Sequence, residues 1–241
     1  MSLKRSTYNF LQRVLLGYET DVLTFSQAGE DLVIRNFFYE RLRKGDKGSF
    51  VDIGAYHPWK DSNTFYLYRA GWRGINIDAR PGSMKAFNAF RPEDINLEIG
   101  VSDKEGWLTY YDFEKNPGLN TMSKEYIAKL GTEAGISSKS EVMVKTLAQI
   151  FEDYIDAERK IDFMNIDIEG SEVAALRSNN WKLFRPSLLA CEIYGFTLSE
   201  IMATEVSKLL ADVGFELYAR VNLAMPNVNT VFFVDSTFSE K

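Results

Sequence analysis

The sequence predicts an α/β protein built on one doubly wound, mostly parallel sheet that ends in an antiparallel strand pair. Three observations predict it. Phe50-Val51-Asp52-Ile53-Gly54-Ala55 is an apolar run ending in Asp-x-Gly, and Gly74-Ile75-Asn76-Ile77-Asp78 is a second apolar run, one helix later, ending in an acid. The chain then closes on two strand-like segments, about 215–221 and 230–235, joined by a loop that carries Pro226 and Asn227. In a doubly wound sheet the ligand lies beyond the carboxyl ends of the strands, and an acid after the second strand can accept from both hydroxyls of a ribose.

The elements follow in order. Ser26-Gln27-Ala28-Gly29-Glu30 reads as a helix start, with Glu30 and Asp31 favourable to the dipole in the first turn, and Ile34, Phe37, Phe38 and Leu42 give one apolar face. The first strand spans about 49–54, a helix runs from Asp61 to Arg69, and the second strand ends at Asp78. Phe65, Tyr66 and Tyr68 in that helix read as packing residues. Arg80-Pro81-Gly82-Ser83 turns the chain into the next helix, a third strand runs from Ile95 to Val101, and an alternating strand follows from Trp107 to Phe113.

Residues 114–140 carry Pro117, Gly118, Gly131 and Gly135 among many polar residues; long connections of this kind serve as lids or binding loops, so the acceptor pocket is expected there. A helix at about 147–157 leads to a fourth strand, Ile161 to Asp167, and a helix at about 171–178 to a fifth, Leu188 to Ile193. Thr197-Leu198-Ser199-Glu200 is a capping box for a helix that Gly214 closes.

Composition fits one enzyme-sized unit. The 241 residues, 45% hydrophobic and 14% aromatic, can bury a substantial core, and the expected organisation is a helical extension at 1–24 before a single domain at 25–241. A net charge of -6 argues against general nucleic-acid binding, which needs clustered Lys and Arg. Cys191 is the single cysteine, so there is no internal disulfide or thiolate metal cage; after Leu188-Leu189-Ala190 it reads as a small buried hydrophobe. No run reaches the roughly 18 apolar residues of a membrane span, no secretory signal is seen, and a cytoplasmic protein is expected. Lys4, Arg5 and Arg13 with Phe10, Leu11, Val14 and Leu15 form a basic amphipathic segment, which either packs on the domain or docks on an anionic membrane or a partner.

Missing glycines narrow the ribose ligand. A dinucleotide fingerprint starting at Gly54 needs glycine at 56 and 59, where Tyr56 and Trp59 stand around Pro58. S-adenosylmethionine has an adenosine but no phosphate, so it requires the turn and the ribose acid without those glycines. A nicotinamide oxidoreductase is the disfavoured alternative.

Ser26-Gln27 with Gly29-Glu30-Asp31, Val51-Asp52-Ile53-Gly54-Ala55, Ser62-Asn63-Thr64, Gly71-Trp72-Arg73-Gly74, Val101-Ser102-Asp103 and Ile166-Asp167-Ile168-Glu169-Gly170-Ser171-Glu172 fall in the order of the FkbM family of S-adenosylmethionine-dependent methyltransferases, which the chain resembles over about 25–235. The resemblance implies a Rossmann-like class I methyltransferase fold with a seven-stranded sheet, and methylation of sugar hydroxyls in glycans, glycolipids or glycosylated metabolites, that is, in polysaccharide biosynthesis. Tyr56-His57-Pro58 departs from the Asn-x-Gly that many members carry after Asp-x-Gly-Ala. A cofactor-retaining, non-catalytic subunit of a glycan assembly complex is the other alternative.

These readings give an expected site. Asp78, with Ala79 beside it, holds the ribose; Asp52, Gly54, Ala55 and Tyr56 form the donor turn; Ser62 and Asn63 face the methionine end; Ser102 and Asp103 border adenine; Gln27 touches the cofactor from the amino-terminal helix. A sugar hydroxyl needs a positioned base or a cation that stabilises the alkoxide. His57, the only histidine, lies in the donor loop and reads either as that base or as a residue that holds the loop. Asp167, Glu169 and Glu192 converge if the strands continue extended, since neighbouring strands lie about 4.8 Å apart. Hard oxygen ligands of this kind suit Mg²⁺. Alternatively Asp167 orients cofactor or acceptor while Glu169 satisfies backbone donors at the next helix start; Asp167, Glu169 and Glu192 are expected with His57 as the catalytic residues, and no residue is assigned as a metal ligand.

Overall fold

The apolar runs become sheet interior because both faces are covered, as parallel strands require. The computed structural model describes residues 23–131, 135–156, 160–223 and 225–238; the expected amino-terminal helix lies outside the described residues except for its last two positions. In chain order come α1 (Glu30–Phe37), α2 (Tyr39–Lys44), β1 (Ser49–Ile53), α3 (Phe65–Arg69), β2 (Arg73–Ile77), α4 (Met84–Phe90), β3 (Ile95–Leu97), β4 (Gly100–Val101) and β5 (Gly106–Asp112). There follow α5 (Lys124–Leu130), β6 (Ser138–Lys145), α6 (Leu147–Tyr154), β7 (Ile161–Ile166), α7 (Glu172–Arg177) and β8 (Pro186–Tyr194). The chain closes with α8 (Leu198–Ala203), α9 (Glu205–Asp212), β9 (Phe215–Asn222) and β10 (Val228–Asp235).

The main sheet has seven strands in the order β3-β2-β1-β7-β8-β10-β9. β1 pairs in parallel with β2 and β7, β7 with β8, and β2 with β3, while β10 is antiparallel to both β8 and β9. This is the Rossmann-like class I methyltransferase topology with its terminal antiparallel pair.

Strand alternation divides the core. Val51, Ile53, Met164, Ile166, Leu189 and Cys191 pack on one face against Leu147, Ile150 and Phe151 of α6 and Leu210 of α9. Phe50, Phe163, Leu188 and Phe232 pack on the other against Ile34, Phe37 and Phe38, with Leu67 and Trp72. Cys191 is fully buried on the first of these faces as an apolar side chain.

Several sequence-based boundaries change: the helix expected from Asp61 starts only at Phe65, and the apolar face through Ile34 and Leu42 is divided between α1 and α2. The expected third strand divides: β3 stays in the main sheet, whereas β4 pairs with β6 in a separate three-stranded sheet, β4-β6-β5. Gly100 permits the crossing, because a Cβ there would meet the Met122 sulfur at 2.7 Å and Val144 at 2.8 Å. β6 lay inside and beyond the expected loop because Ser138-Lys139-Ser140-Glu141 is polar and only Val142 and Val144 are buried. The described part of the expected 114–140 loop also contains the short 3₁₀ turn Pro117–Leu119 and α5. The helix closed by Gly214 is two helices, since Thr204 is extended (φ −66°, ψ 158°) and caps α9 through its hydroxyl to the Ser207 amide.

Candidate active site

Three neighbouring strands end on one repeated pattern: Asp52-Ile53-Gly54, Asn76-Ile77-Asp78 and Asn165-Ile166-Asp167. Ile53 is in register with both Ile77 and Ile166, so Gly54, Asp78 and Asp167 emerge side by side at the carboxyl edge. Ile166 is in register with Cys191, which brings Glu192 of β8 next to Asp167. Beyond this edge lies a cavity of about 430 Å³, a size suited to a small-molecule ligand.

A buried polar network forms the floor. Asn165 donates to Asp52 Oδ1 at 3.0 Å and accepts from Asn63 at 3.0 Å, while the Thr64 hydroxyl donates to Asp52 Oδ2 at 2.6 Å. Arg91, fully buried, donates to Thr64 Oγ1 at 3.0 Å and to Asn76 Oδ1 at 3.1 Å, and lies 3.5 Å from Asp94. Burial raises the Asp52 pKa, against the hydrogen bond from Thr64 and the Arg91 charge. Asp52 and Asn63 are expected at the site from sequence, but Asn76, Arg91, Asp94 and Asn165 are not; the recurring Asp/Asn two residues before each strand-end residue is the signal that marks the network.

At one end of the cavity Asp78 accepts from the Tyr56 amide at 2.9 Å and the Arg80 amide at 2.8 Å, which fixes its carboxylate. Burial raises its pKa and those two amides oppose the rise. Gln27, Asp52, Gly54, Ala55, Tyr56, Ser62, Asn63, Asp78 and Ala79, all expected from sequence, line this cavity. So do Lys60, Asp61, Arg80 and Tyr110, which the sequence reading did not single out. Arg80 donates to the Tyr56 carbonyl at 3.0 Å.

At the other end the structure brings Asp167, Glu169 and Glu192 together, one carboxylate oxygen of each lying within 4.8 Å of the others. Burial first raises the pKa of all three, and like charges add to it, Glu172 foremost for Asp167 and Asp167 foremost for Glu169 and Glu192. Tyr126 donates its hydroxyl to Glu169 and lies 3.0 Å from the Tyr194 hydroxyl, two partners absent from the sequence reading. The turn's backbone donors go to Glu172 and not to Glu169: Glu172 accepts from Ile168 at 3.2 Å and from Gly170 at 3.1 Å. Pro117, Gly118, Asn120, Thr121 and Met122 line this cavity, and Thr121 donates to the Glu169 carbonyl at 2.7 Å. Among the described residues, three of the four non-glycine residues at positive φ, Tyr56 (55°), Asp61 (53°) and Glu169 (49°), line the cavity; such strain gathers where a site over-determines its backbone.

Three expected residues are placed elsewhere. His57 does not line the cavity, and its Nδ1 accepts from the Trp59 amide at 3.3 Å and the Lys60 amide at 3.1 Å. Burial, then the charges of Lys60 and Arg80, lowers its pKa, so the ring is neutral and serves as an acceptor that shapes the loop. Ser102 and Asp103 do not line it either: the Ser102 amide bonds the Lys145 carbonyl at 3.0 Å, next to the small sheet.

Residues 52–217, well over half the chain, match the Methyltransferase FkbM domain. The chain belongs to the FkbM methyltransferase family. As an FkbM-family member it is an S-adenosylmethionine-dependent methyltransferase, which sets aside the nicotinamide oxidoreductase reading. Solved structures similar to the FkbM chain include a TehB-like SAM-dependent methyltransferase from Corynebacterium glutamicum (13% identity, 98% of this chain and 100% of that one, TM-score 0.43). Another is the Burkholderia thailandensis 1,6-didemethyltoxoflavin-N1-methyltransferase with bound S-adenosylhomocysteine (10% identity, 97% and 86%, TM-score 0.46). A third is Aeropyrum pernix fibrillarin with S-adenosyl-L-methionine (13% identity, 79% and 66%, TM-score 0.42). Likenesses this distant carry no argument about the chemistry of the FkbM chain. No curated protein matches it. No helix among its described residues is long and apolar enough to cross a membrane.

Proposed function

We propose that the protein transfers the methyl group of S-adenosylmethionine to a hydroxyl of a saccharide-bearing acceptor. The observation that carries this reading is the placement of acids along the cavity, with Asp78 fixed at one end and the carboxylates Asp167, Glu169 and Glu192 gathered at the other.

The residues present fit the cofactor. A Cβ on Gly54 would stand 1.6 Å from the Asp167 carbonyl oxygen, so the donor turn follows the strand edge as closely as a backbone can. In this reading Asp78 takes the ribose hydroxyls, the Gly54-Ala55-Tyr56 backbone lies along the donor, and Gln27, Ser62 and Asn63 face its methionine end. When bound, the cofactor supplies an activated sulfonium methyl. The protein's task is to hold the acceptor oxygen in line and to exclude water.

The acceptor enters past Pro117, Gly118 and Asn120. An Asp167 or Glu169 carboxylate at the acceptor end of the cavity accepts the hydroxyl proton as the new carbon–oxygen bond forms and the sulfur–carbon bond breaks. Asn63, Asn120 and Thr121 offer hydrogen-bonding partners of the kind a saccharide matches. The composition that argues against nucleic-acid binding stands with this reading.

The test is turnover of S-adenosylmethionine by purified protein with a panel of sugar acceptors, followed by mass spectrometry of the acceptor. One added methyl on an oxygen, with S-adenosylhomocysteine released, is expected. Methyl transfer to nitrogen or carbon overturns the hydroxyl assignment, and cofactor binding without turnover on any acceptor favours a non-catalytic subunit.

A further inference from the structure

We propose that Asp167, Glu169 and Glu192 hold one hard divalent cation, Mg²⁺ or Ca²⁺, at the acceptor end of the cavity. Glu192 is only 5% exposed, yet its Oε2 is buried without a hydrogen-bond partner while it lines the cavity beside Asp167. A buried carboxylate oxygen with no donor is costly, and in folded proteins buried charged groups are paired with a cation or coordinate a metal.

The protein's own cations do not serve them. None of the ion pairs among the described residues includes Asp167, Glu169 or Glu192. The two basic residues lining the cavity are engaged at the far end: Arg80 with the Tyr56 carbonyl, and Lys60 with Asp61 at 3.7 Å. The only side-chain donor to Glu169 is the neutral Tyr126 hydroxyl. The acceptor end therefore has three converging hard oxygen ligands with nothing cationic among them.

The spacing suits such an ion. A point equidistant from three oxygens 4.8 Å apart lies about 2.8 Å from each, so small rotamer adjustments reach the ~2.3–2.6 Å of Ca²⁺ and slightly larger ones the ~2.0–2.1 Å of Mg²⁺. Asp167 and Glu192 are fixed by adjacent strands and Glu169 by a strained turn two residues on, so the three ligands come from a preorganised edge. Three protein ligands leave coordination positions facing the cavity. This deepens the hydroxyl-transfer reading and rests on it for one point, that an acceptor oxygen takes one of those positions; the ion site itself stands without it.

The test uses Mn²⁺ alone as probe, on the EDTA-treated full chain with no cofactor or acceptor, and counts bound ion by electron paramagnetic resonance. One Mn²⁺ per chain is expected, displaced by Mg²⁺ or Ca²⁺, whichever competes at lower concentration naming the preferred ion. Glu192→Gln and Asp167→Asn should each weaken binding at least tenfold, while Glu141→Gln on exposed β6 leaves it unchanged. Saturating Mn²⁺ should raise the melting temperature of the wild type and not of the two site variants. Absence of stoichiometric binding overturns the proposal, and so does unchanged affinity in both site variants when their melting curves show them folded. Because no methyl transfer is measured, failure here leaves the hydroxyl-transfer reading standing, and an inactive protein that binds one ion through these residues separates the two the other way.

Discussion

Gly54 and Asp167 meet backbone to backbone at the carboxyl edge of the sheet, where a Cβ on Gly54 would come 1.6 Å from the Asp167 carbonyl oxygen. Gly54 also has φ +81°, so both its conformation and its neighbour demand glycine. One contact thereby couples the donor turn to the acceptor-end carboxylates. Gly54→Ala should cost about 3 kcal/mol or more, from left-handed strain plus displacement of backbone. Denaturant melts check the loss, and calorimetry of the folded fraction should show S-adenosylhomocysteine binding reduced with it.

Asp167→Asn should fold as well as the wild type, because the amide keeps the shape and removes one member of a mutually repelling carboxylate set. Methyl transfer should fall by about 10² or more, the scale of a positioned proton acceptor. Comparing melting temperature with saturated turnover separates the two effects. Full activity in this variant removes Asp167 from the chemistry.

His57 gives a direct titration, since it is the only histidine and its ring signals need no assignment. NMR should place its pKa below the ordinary value of about 6.5, following burial and the charges of Lys60 and Arg80. With the native value lowered, the unfolded chain binds the extra proton between the two values. Its stabilising contribution is therefore complete above about 6.5 and is lost as pH falls through the native value. His57→Ala should weaken cofactor binding several-fold and change the saturated rate by less than about tenfold, whereas a general base would cost ~10² to 10⁴. His57→Asn, which keeps a side-chain acceptor for the following amides, should restore part of the affinity.

Arg91→Met tests the floor. The variant strands Asp94 and withdraws the donor behind Thr64 and Asp52, and removing one partner of a buried pair costs about 3–5 kcal/mol. Chemical denaturation measures it. A loss below about 1 kcal/mol would show that the Asp52 network stands without its cation.

The strand-end edge was legible because its signals are local. An apolar run ending in Asp-x-Gly, a second ending in Asp78, and the Ile166-Asp167-Ile168-Glu169 block each occupy a few consecutive residues, and strand spacing then brings Asp167, Glu169 and Glu192 together. What stayed hidden depends on pairing across long separations. β6 is too polar at its start to read as a strand until β5 and β4 flank it, and the chain leaves the main sheet after Leu97 with no turn residue except Gly100 to mark the exit. Tyr126 and Tyr194 meet only because α5 packs over the Glu169 turn. For His57 the residue type alone does not show what the fold adds, that the Trp59 and Lys60 amides, two and three residues on, donate to its Nδ1.

The central claim is that Asp78 and the donor turn bind the adenosine end of S-adenosylmethionine. Isothermal calorimetry with S-adenosylhomocysteine, on the wild type and on Asp78→Ala, tests it most directly. Saturable one-to-one binding is expected, weakened in the variant by about 1.5–3 kcal/mol, the scale of charge-assisted hydrogen bonds. No binding by the wild type, or equal affinity in a folded Asp78→Ala variant, would contradict the account.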